Sequence, residues 1–281
     1  MRAYLFCLLI MLFPATTRAE VAYQQIRPGI SAGAEYRLGE RSKPAVLLLH
    51  GFLQTRDFPT VATLTRGLND AGYSVLSPTL SLNIPNRAQS LACEAVHNHD
   101  LGDDVAEVAR WVDWLKSRGH RSIVLIGHSF GAFQLLAYLT ADPDAAIKGY
   151  IGISLLEPQT GPPSRAALIA QLERHQQTDP RALVATRLSY CRKYLSTPEA
   201  LLSYVRWEQP RILSVLKRPP VPVGLIMGDA DDLLGSGWIK ALEHLQTRIV
   251  IVKGANHFMD GQYEFDLLDH TLKFLDMLSR P

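Results

Sequence analysis

Six short runs of the chain are apolar at most positions, and segments of mixed polarity separate them. "AVLLLH" (45 to 50), "YSVLSPTL" (73 to 80), "SIVLIGHS" (122 to 129), "KGYIGISL" (148 to 155), "PVGLIMGD" (222 to 229) and "RIVIVKGA" (248 to 255) all have strand length. Apolar runs of that length are what strands covered on both faces require. Between the second and third runs, Leu101, Val105, Val108, Val112 and Leu115 recur at helical spacing, with Asp103 and Asp104 in the first turn, where the helix dipole favours acids. Strands alternating with helices predict an α/β fold with a mostly parallel central sheet and helices on both faces. The weaker segment before residue 45 is expected to add one or two edge strands. Residues 157 to 220 break the alternation. They open with "EPQTGPPS", show no convincing strand, and run through "RAALIAQLERH" and "PEALLSYVRW". We read them as a helical cap insertion over one end of the sheet, with padding of the core as the alternative.

The third run ends in G-H-S-F-G, residues 127 to 131, and an equally apolar helix-type run begins at once. A strand that turns into a helix so abruptly forces the residue at the bend into a strained conformation, and small neighbours such as Gly127 and Gly131 let the chain pass. Ser129 would then stand at the carboxyl end of the sheet, beside helix N–H groups that point toward developing negative charge. By chance, G-x-S-x-G appears in roughly one chain in ten of this length. Requiring a buried strand before it and an apolar helix after it lowers that to about one in a hundred, which weighs against a tight turn without chemistry. A serine hydroxyl needs a base, and the base needs an acid to orient it. "GDADD" offers Asp229, Asp231 and Asp232 after the fifth run, and "NHFMDG" offers His257 after the sixth. Strand ends on one side of a parallel sheet converge, so Ser129, one of these aspartates and His257 can meet.

The order Ser, Asp, His, the G-H-S-F-G elbow and the early "LLLHGF" together resemble the α/β-hydrolase superfamily over nearly the whole chain after the leader. That resemblance implies the α/β-hydrolase fold and a serine hydrolase of carboxylesterase or lipase type. It implies Ser129 as nucleophile, His257 as base and Asp231 as acid, the latter by its spacing after the glycine that ends the strand. It also implies an oxyanion hole built from the backbone N–H groups of Phe52 and Phe130. Some lipases take the acid one strand earlier, and Glu157 is the candidate for that arrangement. The single glycine after His50, in place of "HGGG", brings the resemblance closer to small carboxylesterases. The expected reaction is hydrolysis of a carboxylic ester through an acyl-enzyme on Ser129. Amide or thioester hydrolysis by the same residues, or a binding protein on the same fold that has lost catalysis, are the alternatives.

Composition then narrows the setting. Arg2, the apolar run from Ala3 to Phe13, Pro14 and "ATTRA" ending at Ala19 read as a signal peptide over residues 1 to 19, too short in its apolar part to span a bilayer. The chain from residue 20 to 281 would be the hydrolase domain, exported to the periplasm or secreted. Removal of the leader takes Arg2 and Arg18 from 29 basic residues and nothing from 27 acidic ones, which leaves a balanced chain whose net charge does not suggest a nucleic-acid partner. No phosphate loop or G-x-G-x-x-G supports a nucleotide, so no cofactor is expected. "HNHD" (97 to 100) is read as a polar loop in which Asp100 caps the following helix rather than as a metal site, so no metal is expected either. Two cysteines remain, Cys93 and Cys191. In an oxidising compartment a bridge between them would staple the cap to the body, worth about 4 to 5 kcal/mol at most for a loop of this length. The cap carries ten Arg and Lys against five Asp and Glu, and Leu168, Ile169, Leu172, Leu201, Leu202 and Val205 recur in it at helical spacing. The expected partner is therefore a small-molecule or lipid-like acyl substrate that meets an apolar pocket with a basic rim. That rim could also bring the enzyme toward an anionic membrane surface.

Overall fold

The computed structural model describes residues 19–141, 144–245 and 247–278. The leader therefore lies outside the described residues except for Ala19. In chain order the elements are β1 (Glu20–Arg27), β2 (Ile30–Arg37), β3 (Ala45–Leu49), α1 (Pro59–Asp70), β4 (Ser74–Pro78), β5 (Val96–His97), α2 (Leu101–Ser117), β6 (Ile123–His128), α3 (Phe130–Ala141) and β7 (Ile147–Ile153). They continue with α4 (Arg165–Thr178), β8 (Val184–Leu188), β9 (Cys191–Ser196), α5 (Pro198–Val205), α6 (Gln209–Lys217), β10 (Val223–Gly228), α7 (Trp238–Glu243), β11 (Arg248–Val252) and α8 (Glu264–Leu278).

Eight strands form one sheet in the order β1-β2-β4-β3-β6-β7-β10-β11. Its six apolar strands run parallel, and β1 and β2 join antiparallel at one edge. The period of two along each central strand divides the core. Leu47 and Leu49 of β3 and Leu125 of β6 enter a cluster with Trp111, Phe133 and Leu136 from α2 and α3. Val46, Leu48, Val124 and Ile126 enter the opposite cluster with Leu64, Leu68 and Phe274 from α1 and α8. Helix α3 is buried from Phe130 to Leu139, because it lies between the sheet and other helices and has no solvated face. Helix α2 begins as its sequence indicates. Asp100 caps it, accepting from Asp103 N–H at 2.7 Å, while the Asp103 side chain accepts from Asp100 N–H.

The insertion differs from the helical cap expected. Three helices are present, but β8 and β9 form an antiparallel hairpin inside it, and β9 pairs in parallel with β5, which extends the same three-stranded sheet. The hairpin carries Arg187, Arg192 and Lys193 among its exposed positions, and such polar strands lack the continuous apolar signal of the core strands. The Cys93–Cys191 disulfide is formed, with Cα atoms 5.3 Å apart, and it fastens β9 to the segment before β5. Leu168, Leu172, Leu201, Leu202 and Val205 are all buried in the same cluster as α2 and α3. They join the cap to the body. Among the described residues no helix is long and apolar enough to cross a membrane.

Candidate active site

The first requirement is the bend after β6. Ser129 sits at φ 57°, a left-handed conformation disfavoured for a residue with a Cβ. Its N–H donates to the Ile153 carbonyl at 2.8 Å, which ties the bend to β7. Both neighbouring glycines are required by close approach. A Cβ on Gly127 would stand 2.5 Å from the Ala132 backbone, and one on Gly131 would stand 2.2 Å from the His50 carbonyl oxygen. The elbow therefore packs directly onto the end of β3, and α3 starts immediately behind the serine.

Strand ends then bring the partners in. Ser129 Oγ lies 2.7 Å from His257 Nε2, and His257 Nδ1 lies 2.7 Å from Asp231 Oδ2. A carboxylate only accepts, so Nδ1 carries the proton and Nε2 accepts from the Ser129 hydroxyl. The other Asp231 oxygen accepts from Leu233 N–H at 3.0 Å. All three side chains are buried, and Ser129 is only 7% exposed. The remaining candidate acids go elsewhere. Asp229 is exposed and accepts from Gly254 N–H. Asp232 is exposed. Glu157 pairs with Arg165 at 3.0 Å and accepts from Gln209 N–H at the base of the cap. The geometry thus selects Asp231 from the residues that the sequence left open.

The two phenylalanines meet above the elbow. Phe52 follows β3 and Phe130 opens α3, and their rings lie 4.6 Å apart. Phe130 N–H belongs to the first turn of α3, where no helical carbonyl is available to it. The cap closes over the pair. The Phe52 ring meets Tyr190 and Tyr194 of the hairpin region at 5.5 and 5.6 Å, and Phe130 meets Tyr204 of α5 at 5.6 Å.

The other histidines hold structure. His50 accepts Leu80 N–H at Nε2 and donates from Nδ1 to the Gly51 carbonyl, and burial, with Arg87 nearby, pushes it down to about 3. His128 donates from Nε2 to the His257 carbonyl at 3.0 Å, and burial, then His257, pushes it down to about 4. His97 stacks on Tyr194, with ring centroids 4.1 Å apart. His99 donates to Asp104 at 3.1 Å and accepts from Tyr194 at 3.2 Å, and Tyr204 and Gln134 also donate to Asp104. Burial opposes the charge on Asp104, but His99 and these donors outweigh it and hold the carboxyl below its ordinary value. This buried set joins α2, α3 and the cap. Among the described residues no group of three or more His, Cys, Asp or Glu is placed to hold a metal ion.

Sequence reasoning missed Arg87, Tyr190 and the Asp104 network. Arg87 is buried and donates to the Leu80, Gln54 and Gln89 carbonyls. The Tyr190 hydroxyl donates to the Phe52 carbonyl at 3.0 Å. Its only signal in the sequence is adjacency to Cys191.

The family model described as "Alpha/beta hydrolase family" matches residues 46–264. Solved structures share the architecture at low identity. Est1E from Butyrivibrio proteoclasticus is 18% identical with a TM-score of 0.64, over 92% of this chain and 98% of that one. The alpha/beta hydrolase GrgF from Penicillium sp. sh18 is 16% identical with a TM-score of 0.71, over 93% and 99%. A thioesterase domain from the curacin biosynthetic pathway is 16% identical with a TM-score of 0.57, over 92% and 99%. No curated protein sequence matches the chain.

Proposed function

This chain belongs to the alpha/beta hydrolase family, and we propose that it is an exported serine hydrolase that cleaves a carboxylic ester through an acyl-enzyme on Ser129. The observation that carries the reading is the unbroken series from Asp231 through His257 to Ser129, with both hydrogen bonds at 2.7 Å. Ser129 Oγ attacks the ester carbonyl carbon as its proton passes to His257 Nε2, and Asp231 stabilises the imidazolium that forms. The carbonyl oxygen becomes an oxyanion facing the N–H groups of Phe52 and Phe130. Collapse breaks the bond to the alcohol, which leaves with the proton from Nε2. Water then repeats the sequence on the acyl-enzyme, releasing the acid and restoring the Ser129 hydroxyl.

A thioester would differ only in its leaving group, and the likeness to the curacin thioesterase domain favours that as the second reading. Matched oxyester, thioester and amide substrates separate the three. An activated p-nitrophenyl ester is expected to give a burst of nitrophenol, and a fluorophosphonate to label Ser129 at one equivalent. A folded protein that neither turns over nor labels would overturn the enzyme reading and leave a binding protein on this fold. Export is supported by the leader pattern and by a formed disulfide, which persists in oxidising compartments. Recovered mature protein is expected to begin at Glu20, and an intact leader would count against cleavage.

A further inference from the structure

Three consecutive carbonyls of the loop after β3 are held by donors from outside it. Phe52 O accepts from the Tyr190 hydroxyl at 3.0 Å, Leu53 O from Leu91 N–H at 3.0 Å, and Gln54 O from Arg87 Nη2 at 2.8 Å. The loop needs such holding. Gln54 N–H donates to Gly51 O at 3.2 Å and closes a four-residue turn in which Leu53, the third residue, has φ 56°. Phe52, the second residue, is not among the positive-φ positions. A positive φ at the third position alone marks the type II form, which glycine adopts freely but which costs leucine about 1 to 2 kcal/mol. Rotating the single peptide between Phe52 and Leu53 would give the type I form, in which leucine is unstrained. The oxygen of that peptide is the atom Tyr190 holds.

The segments supplying two of these donors are covalently joined. Tyr190 immediately precedes Cys191, Leu91 lies two residues before Cys93, and the two cysteines are bridged. Tyr190 occupies the tip of the β8–β9 hairpin, where only Ser189 and Tyr190 connect the paired residues Leu188 and Cys191. Ser189 N–H donates to the Gln159 carbonyl, which fastens the tip to the start of the cap. Tyr190 itself is 47% exposed and outside the packed core. Burial of its phenol pushes its pKa up from the ordinary value, so the hydroxyl remains a donor.

We propose that Tyr190 is a positioning residue for the oxyanion hole, holding the Phe52 backbone where its N–H is aimed at the oxyanion, and that the Cys93–Cys191 bridge is the brace that keeps it there. The inference rests on the reading that Phe52 N–H faces the oxyanion. An oxyanion donor is effective only while it is aimed at the developing charge, and the Tyr190 hydroxyl holds the carbonyl of the same residue that carries the donor, so it fixes the Phe52 backbone against the hairpin tip. Turnover, as well as stability, would then depend on the oxidised bridge.

Tyr190→Phe keeps the ring and removes only the hydroxyl. It is expected to lower kcat on a p-nitrophenyl ester about tenfold, the worth of one hydrogen bond, while KM and the melting temperature stay near wild type. Affinity for an alkylboronic acid, whose tetrahedral serine adduct carries the oxyanion charge, should fall by a similar factor. The Cys93→Ser, Cys191→Ser double variant, assayed well below its melting temperature, is expected to lose kcat by the same factor. Adding Tyr190→Phe to it should change little, because both act through one contact. Unchanged kcat in Tyr190→Phe, a change confined to KM, or a fully additive loss in the triple variant would overturn the proposal. Amide exchange across residues 51 to 54 needs no activity, and it should quicken in Tyr190→Phe and in protein reduced with a phosphine. Unchanged exchange overturns the clamp by itself. Wild type that neither turns over nor labels, but shows the quickened exchange in the variants, would instead overturn the serine-hydrolase reading and keep the clamp on the loop.

Discussion

Ser129 is both strained and nearly covered, a combination that packing alone does not call for. Its φ of 57° and its 7% exposure place one hydroxyl at the end of β6 against His257 and nowhere else. If the three residues act as a unit, replacing one removes most of what all three contribute. Ser129→Ala and His257→Ala are each expected to lower kcat by about 10⁴-fold or more while circular dichroism stays unchanged. Near-normal turnover in either variant would defeat the mechanism. Asp231→Asn should be similarly severe, since an amide no longer fixes the proton on Nδ1 of His257. Asp232→Asn, at an exposed position, should stay within about twofold of wild type, because surface substitutions away from such features do little. A reversed ranking of the two aspartates would mean that another carboxylate serves His257 in solution.

At the scale of elements, neutral buried histidines hold loops to strands. His50 anchors the loop after β3 to the residues after β4, and His128 ties β6 to the His257 loop. With His97, pushed down to about 4 chiefly by burial, their folded values lie below the ordinary 6.5. Between those values the unfolded chain binds more protons than the folded one. The stability they contribute is therefore present above about pH 6.5 and is lost as pH falls through about 4. Glu107, pushed up to about 7 by burial, works the other way, since its carboxyl is stabilising below its unfolded value and this is lost as pH rises toward 7. Three imidazoles against one carboxyl predict a melting temperature that falls from pH 7 to pH 4. His128→Gln keeps a donor for the His257 carbonyl and should flatten that fall, whereas an unaltered slope would place the acid sensitivity elsewhere. The bridge belongs to this scale as well. Its replacement by two serines is expected to lower stability to urea by about 2 to 5 kcal/mol, with the cap hairpin opening first.

Across the whole molecule, charge is unevenly placed. Arg181 lies just before the hairpin and Arg187, Arg192 and Lys193 lie on it, all exposed, whereas Arg165 and Arg206 are engaged with Glu157 and Glu173. The hairpin tip meets Phe52 beside the proposed oxyanion hole, and we propose that substrate enters there, past these exposed cations. Such a rim should favour esters bearing a remote carboxylate and lose that preference as salt shortens the Debye length to about 8 Å at physiological strength. Comparing kcat/KM for a neutral ester and its carboxylate-bearing counterpart over a salt series checks this. Parallel salt responses would make the arginines an ordinary solvated face.

Much of this was legible before any coordinates. The six buried strands were, because a strand covered on both faces writes its burial into every position; Leu47 and Leu48 face opposite clusters, and neither tolerates water. The elbow was, because backbone approach at Gly127 and Gly131 admits no Cβ. The meeting of Ser129 with an aspartate and His257 was, because parallel strands deliver their ends to one side. The hairpin β8–β9 was not, since its strands are polar on their outward positions and find their pairing partner in β5, nearly a hundred residues earlier. Nor were the burial of the cap leucines or the hold of Tyr190 on Phe52. Periodicity records how a residue meets its own element and its solvent. Which distant carbonyl a phenol reaches depends on where two separately folded segments come to rest, and only the tertiary structure decides that.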